Sequence, residues 1–298
     1  MSYARRSGLP LGLATISLML SASVASAFEL APNYQLVWSD EFNGQQLDQA
    51  KWDYRYLGPR GPAIVAKDSV AVDGTGNLRL STHRVGDDLH VGMIGTQPTF
   101  QTKYGYFETR IKFQEQQGHH GAFWLQSPTY GKYLDNPAQS GAEIDVIEFF
   151  GSGRHDRGAG NAVFWNPYAN GPEHRGGPPD LTPILGPVVP GEPRAELSDK
   201  FHTYGLLWTA DEYVFFIDDH EVFRTSEGVS QVPQYMVLSL LSSGWERSRL
   251  QDDRLPDSMY VDYVRVYQPQ PPRKVPVPSM LLGLLGVSIK LLQRRRAG

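Results

Sequence analysis

The chain has 298 residues, with 28 Lys and Arg against 32 Asp and Glu, for a net charge of −4. With no basic excess it lacks the electrostatic footprint of a nucleic-acid binder. It contains no cysteine, so no disulfide supports the fold, which neither requires nor excludes export; the length suits one large all-β domain or two small ones.

At the N-terminus, Arg5-Arg6 precede an apolar run from Leu9 to Leu20, and Ala25-Ser26-Ala27 offers a cleavage site before Phe28. This pattern predicts a signal peptide over residues 1–27. A retained anchor is the alternative, but the run is short for a membrane span. From residue 28 to about 268 the sequence alternates short apolar runs with Gly, Pro, Asn and Asp. Strands are predicted around Asn77–Thr82, Tyr104–Phe113, Thr203–Trp208, Tyr213–Ile217, Met236–Leu241 and Met259–Tyr267. No long amphipathic helical stretch and no internal repeat interrupts them, so a sandwich or barrel is expected. Asp218-Asp219-His220 reads as a hairpin turn, and Leu57–Asp68 and Gly171–Glu196 read as long Pro/Gly-rich loops. Such loops on a β-scaffold shape a binding site or stay mobile. The 15 Tyr, 13 Phe and 6 Trp suit strands and sugar stacking equally, so composition does not separate core from cleft.

The most informative stretch is Glu143-Ile144-Asp145-Val146-Ile147-Glu148, bounded by Gly141-Ala142 and Phe149-Phe150-Gly151. Its β-branched and aromatic residues indicate a strand. Alternation puts Glu143 and Asp145 on one face and sends Glu148 to the other. One extra residue at Val146-Ile147, a β-bulge, returns Glu148 to the face of the other two acids. Buried carboxylates are costly unless they are paired, hydrogen-bonded or used. Paired carboxylic acids on one surface are the equipment of glycoside hydrolysis. An exposed acidic strand or a cation site is the alternative. However, an exposed strand would not be flanked by Ile, Val and Phe, and a calcium loop would carry Gly and Asn between its acids. The spacing alone leaves open whether the carboxyls lie ~5 Å apart, for retention, or nearer ~8 Å, for inversion.

Beyond the domain, Gln268-Pro269-Gln270-Pro271-Pro272 reads as a linker. It is followed by Val275-Pro276-Val277-Pro278-Ser279, an apolar run from Met280 to Leu292 broken by Lys290, and Arg294-Arg295-Arg296. Residues 269–298 are therefore read as a linker and a C-terminal sorting or anchor segment, short for a full span, whose arginines stay cytoplasmic. The segment resembles the bacterial PEP-CTERM tail, with Pro276-Val277-Pro278 in place of Pro-Glu-Pro. The resemblance implies an exosortase-type sorting enzyme as a partner; a plain membrane anchor is the alternative. Either reading puts the catalytic domain outside the cytoplasm.

Over residues 34–268 the chain resembles glycoside hydrolase family 16. Leu36-Val37-Trp38-Ser39-Asp40-Glu41-Phe42-Asn43-Gly44, Leu47-Asp48 and Lys51-Trp52 are similar to the family's opening. Tyr104–Ile111, Gly121–Leu125, Phe201–Gly205, Trp208 and Val261–Tyr267 are similar to its later strands. The resemblance implies an all-β jelly-roll sandwich of two antiparallel sheets with a concave substrate cleft, spanning residues 28–268. It also implies a retaining mechanism. Glu143 would be the nucleophile, Glu148 the general acid and then base, and Asp145 the group that holds and tunes Glu143. Two residues between Asp145 and Glu148 resemble the bulged branch, which includes laminarinases and several galactanases.

The resemblance further suggests sugar contacts at Trp124, Trp165, Asn166 and Trp245, since an aromatic face is a platform for a sugar's C–H surface. Trp124 has core packing as its alternative, and Trp245 has loop filling. Phe164 stands near a position where many relatives carry His, which points to a different inner subsite. His174 reads as a residue of a mobile loop, with lining the cleft as its alternative, and His119-His120 as a solvated loop rather than a metal site, because no third ligand is placed by sequence. Glu41 and Asp262 fall where some members bind structural calcium; surface acids are the alternative. No cofactor is expected beyond that calcium. The resulting expectation is an exported, monomeric, retaining endo-β-glycanase acting on a β-1,3- or mixed-linkage β-glucan. A galactan hydrolase of agar or carrageenan type, or a transglycosylase, is the rival, and a non-catalytic carbohydrate-binding protein is the rival of another class.

Overall fold

The computed structural model describes residues 28–167 and 173–270. The expected signal peptide and nearly all of the C-terminal tail lie outside these residues. Two antiparallel sheets face each other. In the first, the order across the sheet is Glu173–Gly177, Ala159–Trp165, Glu143–Phe149, His120–Gln126, Tyr235–Leu241 and Asp88–Gly95. In the second, Asp257–Pro269 pairs with Tyr34–Asp40 and Leu78–Val85 and with Gly105–Lys112. His202–Trp208, Tyr213–Ile217 and His220–Thr225 continue that sheet. The all-β sandwich expectation therefore holds. Among the described residues no helix is long and apolar enough to cross a membrane.

The core lies between the sheets, where Ile144, Val146, Ile147 and Phe149 of the acid-bearing strand pack in one cluster with Phe107, Leu206, Phe215 and Val264. Burying each such aliphatic side chain is worth about 1.5–3 kcal/mol, and a one-residue slip would turn the set outward. The bulge reconciles that burial with the acids. Against one neighbour, Asp145 and Glu148 oppose Ala162 and Gly160; against the other, Asp145 and Ile147 oppose the adjacent pair Trp124 and Phe123. Both neighbours thus show one extra residue in the acid strand. A bulge leaves a backbone group unpaired, and here the buried Asn161 amide donates to the Val146 carbonyl.

The predicted strands lie within one to three residues of those observed. Tyr213–Ile217 matches, with its turn made by Asp218 and Asp219 at φ 45 and 62, the positive values that a two-residue hairpin turn uses. Three expectations need correction. Leu57–Asp68 is not structureless: Gly58–Arg60 and Ala63–Val65 form a hairpin that joins Asp88–Gly95 through a parallel pairing. Gly171–Glu196 contains the strand Glu173–Gly177 and the short helix Thr182–Leu185. The linker does not begin at Gln268, because Gln268 and Pro269 pair with Gln35 and Tyr34, and the Gln270 amide donates to the Asn33 carbonyl at 2.7 Å. The opening motif has a structural use. The buried Asp40 accepts the Trp52 indole N–H at 2.9 Å and the Phe42 amide at 3.1 Å, tying two segments to the sandwich.

Candidate active site

Cross-strand register builds the site as three rungs on the outer face of the first sheet, since paired residues of neighbouring strands share a face. The first rung runs Tyr235, Gln126, Glu143, Phe164, His174. The second runs Val237, Trp124, Asp145, Ala162. The third runs Ser239, Ala122, Glu148, Gly160. Glu143, Asp145 and Glu148 thus share one wall, in a pocket that Trp124, His120 and Arg60 also line. Ala162, Ala122 and Gly160 beside Asp145 and Glu148 keep the floor low, which leaves room for a ring to approach. Asp145 is buried at 5% exposure, while Glu143 and Glu148 keep an accessible edge.

The carboxyls have unequal surroundings. Burial pushes Glu143 above the usual carboxylate range, and three groups pull against it: a hydrogen bond from Gln126, then the charges of Arg55 and Arg60. Gln126 Nε2 donates to Glu143 Oε2 at 2.7 Å. Its Oε1 accepts from Arg55 Nη2 and from the Tyr235 hydroxyl, each at 2.7 Å. Gln126 therefore has a fixed orientation, and the buried Arg55 acts on Glu143 through it. Burial also pushes Glu148 up; His120 opposes this, while the negative charges of Glu143 and Glu246 add to it. Asp145 is pushed well above its usual range, first by burial and then by Glu148 and Glu143.

Of the expected sugar-contacting residues, two face the site. Trp124 lies on the middle rung, its indole N–H donating to Ser239 Oγ at 3.1 Å. Trp245 is 60% exposed beside His120, ring centroids 6.0 Å apart and interplanar angle 24°. The other two do not. Trp165 follows Phe164 on the strand and so points to the opposite face, where it is buried in the main core with its indole N–H donating to Glu173. Asn166 is 4% exposed at φ 51, and its side chain accepts the Asp135 amide at 3.0 Å; it locks a turn.

The calcium expectation also meets a different arrangement. Glu41 takes a bidentate pair from Arg265 at 3.0 and 2.7 Å, and Asp262 pairs with Arg110. Each carboxylate already has its countercharge, from a different guanidinium. Nor are the adjacent histidines a solvated loop. His119 is fully buried between Thr82 Oγ1 at 2.7 Å and Asp257 Oδ2 at 3.1 Å. His120 sits at the pocket rim with its Nδ1 2.6 Å from Glu246 Oε1. His174 lies on a strand, stacked on Phe164 at 5.4 Å. Sequence reasoning missed Arg55, Arg60, Gln126, Tyr235 and Glu246. None sits in a chemical motif, and Arg55, Gln126 and Glu143 meet only through sheet pairing.

A two-sheet sandwich with buried acids on one bulged strand defines a carbohydrate-active β-sandwich. The comparisons narrow the class. A family model described as "Beta-porphyranase A-D, GH16 domain" matches residues 34–269, and the chain belongs to glycoside hydrolase family 16. Among curated relatives, keratan-sulfate endo-1,4-beta-galactosidase of Sphingobacterium multivorum is 26% identical, covering 86% of this chain and 59% of that protein. Endo-1,3-1,4-beta-glycanase ExsH of Rhizobium meliloti is 31% identical over 61% of this chain and 34% of its own length. Beta-porphyranase D of Zobellia galactanivorans is 26% identical over 78% of this chain and 59% of that protein. The chain thus spans well under two thirds of the length of these relatives. The jelly-roll fold is shared with SCLam, a non-specific endo-beta-1,3(4)-glucanase, at TM-score 0.63 and 24% identity over 82% of this chain and 95% of that one. It is shared also with a laminarinase from Flavobacterium sp. UMI-01, at TM-score 0.62 and 22% identity over 78% of this chain and all of that one.

Proposed function

We propose that this chain is a retaining endo-acting glycoside hydrolase that cleaves internal β-linkages of a polysaccharide. One observation carries the reading: two carboxyls share one face of the bulged strand, both raised by burial but set among different charged neighbours. Unequal surroundings of paired carboxyls assign acid and base roles. Glu143, with a hydrogen-bond donor and two guanidinium charges, is the group suited to be ionised. Glu148, where burial and the like charges of Glu143 and Glu246 outweigh the opposing His120, is the group suited to keep its proton.

In this mechanism the Glu143 carboxylate attacks the anomeric carbon while Glu148 gives its proton to the leaving glycosidic oxygen. A glycosyl ester on Glu143 results. Glu148, now ionised, takes a proton from water as that water attacks the same carbon and releases Glu143. A protonated Asp145 has an O–H to donate and limits the negative charge packed between the other two. Trp124 and Trp245 are proposed sugar platforms. The chemistry rests on side-chain carboxyls and needs no cofactor.

Two substrate classes have support. The β-1,3- or mixed-linkage β-glucan expected from sequence agrees with the glucanase relatives. A β-galactan is favoured by the family model and by the printed activities of two relatives, and Phe164 opposite Glu143 is where the two readings would differ. Export through residues 1–27, sorting of the tail by an exosortase-type enzyme and a monomeric state are part of the same proposal.

The test is product release from laminarin, lichenan, agarose, carrageenan, porphyran and keratan sulfate, with the anomer of the first product read by NMR. Wild type is expected to release β-configured ends from one class, and Glu143→Gln none. Glu148→Ala is expected to regain turnover of an activated aryl glycoside when azide is added, because that leaving group needs no acid. Wild-type activity in a folded Glu143→Gln protein would overturn the nucleophile assignment.

A further inference from the structure

We propose that Asp68, His83 and His90 form a binding site for a divalent cation of the zinc class, separate from the carboxylate wall. His83 and His90 are directly opposite each other in the hairpin of Leu78–Val85 and Asp88–Gly95. Their rings lie on one face, centroids 5.5 Å apart. Asp68 comes from the 3-10 turn Lys67–Ser69 and reaches over both. Its carboxylate lies 2.9 Å from His90 Nδ1 and 3.7 Å from His83 Nε2. One ligand atom from each residue lies within 4.8 Å of the others. Ligands ~2.0–2.1 Å from zinc in a tetrahedron are about 3.4 Å apart, so small rotations of the three side chains would close the set around one ion.

The backbone that presents these groups is fixed. The Ala66 amide donates to the Val91 carbonyl at 3.0 Å. A side chain at Gly92 would meet the Ser69 carbonyl at 2.8 Å, so the turn lies directly on the strand that carries His90, and only glycine permits that approach. The nearby cations are engaged elsewhere: Lys67 over the Tyr54 ring, Arg84 on Asp252 and the Asp87 carbonyl. Two imidazoles and one carboxylate, with remaining positions open to water, suit zinc and its neighbours rather than calcium or magnesium, which prefer all-oxygen shells. The strand Ala63–Val65 pairs with the strand bearing His90 at Ile64, and its hairpin partner carries Arg60 to the acid pocket. A bound ion would therefore brace the base of the loop that delivers Arg60.

Calorimetric titration of the untagged full chain with Zn2+ tests this. One site is expected, weakened at least tenfold by Asp68→Asn and abolished by the His83→Ala, His90→Ala double substitution. Glu143→Gln is expected to leave it unchanged, which separates it from binding at the catalytic acids. Both imidazoles are partly exposed, so the variants should fold. As a check, Zn2+ should raise the Tm of wild type and not of the double variant. Co2+ should give a d–d spectrum of low-coordinate nitrogen and oxygen ligands in wild type alone. Equal binding by wild type and the double variant, or no binding by wild type, overturns the proposal.

Discussion

Gln126→Leu removes the amide that orients Glu143 and leaves its size nearly unchanged. The lost contact is a 2.7 Å hydrogen bond to a carboxylate, and the same amide also accepts from Arg55 and Tyr235. Hydrogen bonds to charged groups are worth about 1.5–3 kcal/mol. At 1.36 kcal/mol per tenfold in rate, that is a fall in kcat/KM of roughly 10- to 150-fold. The sign follows from the protonation state. Glu143 must be ionised to attack, burial already raises its pKa, and Gln126 lowers it; removing Gln126 raises it further. The acid limb of the kcat/KM profile therefore moves to higher pH, while the basic limb, set by loss of the Glu148 proton, stays in place. The bell narrows, and the loss is greatest below the wild-type optimum. Leaving Arg55 and Tyr235 without this acceptor costs about 1–3 kcal/mol of stability, so profiles are compared well below the Tm. An unchanged acid limb in a folded variant would refute the role given to Gln126 and weaken the assignment of Glu143 as nucleophile.

Asp145→Asn is expected to lower turnover yet stabilise the fold at neutral pH by about 1 kcal/mol, a Tm rise of ~2–4 °C. The folded pKa of Asp145 is raised, so wild type loses stability as pH rises from 3.8 through that folded value. The advantage of Asn should appear across that window and then level off; an equal difference at pH 3 and pH 7 would contradict it. The tryptophans should separate by assay. Trp245→Ala is expected to raise KM by ~5-fold, about 1 kcal/mol of stacking, with Tm unchanged. Trp165→Ala, which empties a core position, is expected to cost about 3–5 kcal/mol of stability in chemical denaturation. A KM effect from Trp165 without a stability loss would restore it as a sugar contact.

The sequence made the acid strand legible because it holds two conflicting demands within six residues: apolar side chains that need a core and carboxyls that avoid one. Only an inserted residue meets both, so the bulge could be placed before any coordinates. The strands around it were legible for a similar local reason, since alternation and turn residues act within a few positions. Trp165 and Asn166 were misread because proximity in sequence to Phe164 says nothing about which face of the strand is wet. The arginine partners of Glu41 and Asp262 come from other strands and were not legible from local sequence.

By itself, then, the sequence determined the all-β class and the three acids on one face, because these follow from local periodicity and spacing, while the family resemblance came from motifs matched along the chain. Only the tertiary structure decided how the acids differ. Arg55, Gln126 and Tyr235 reach Glu143 across three strands, His120 and Glu246 meet beside Glu148, and Asp68 closes over two histidines from a separate turn. Protonation states depend on charges, donors and solvent within a few ångströms in space, and those neighbours are brought together by sheet register and loop packing.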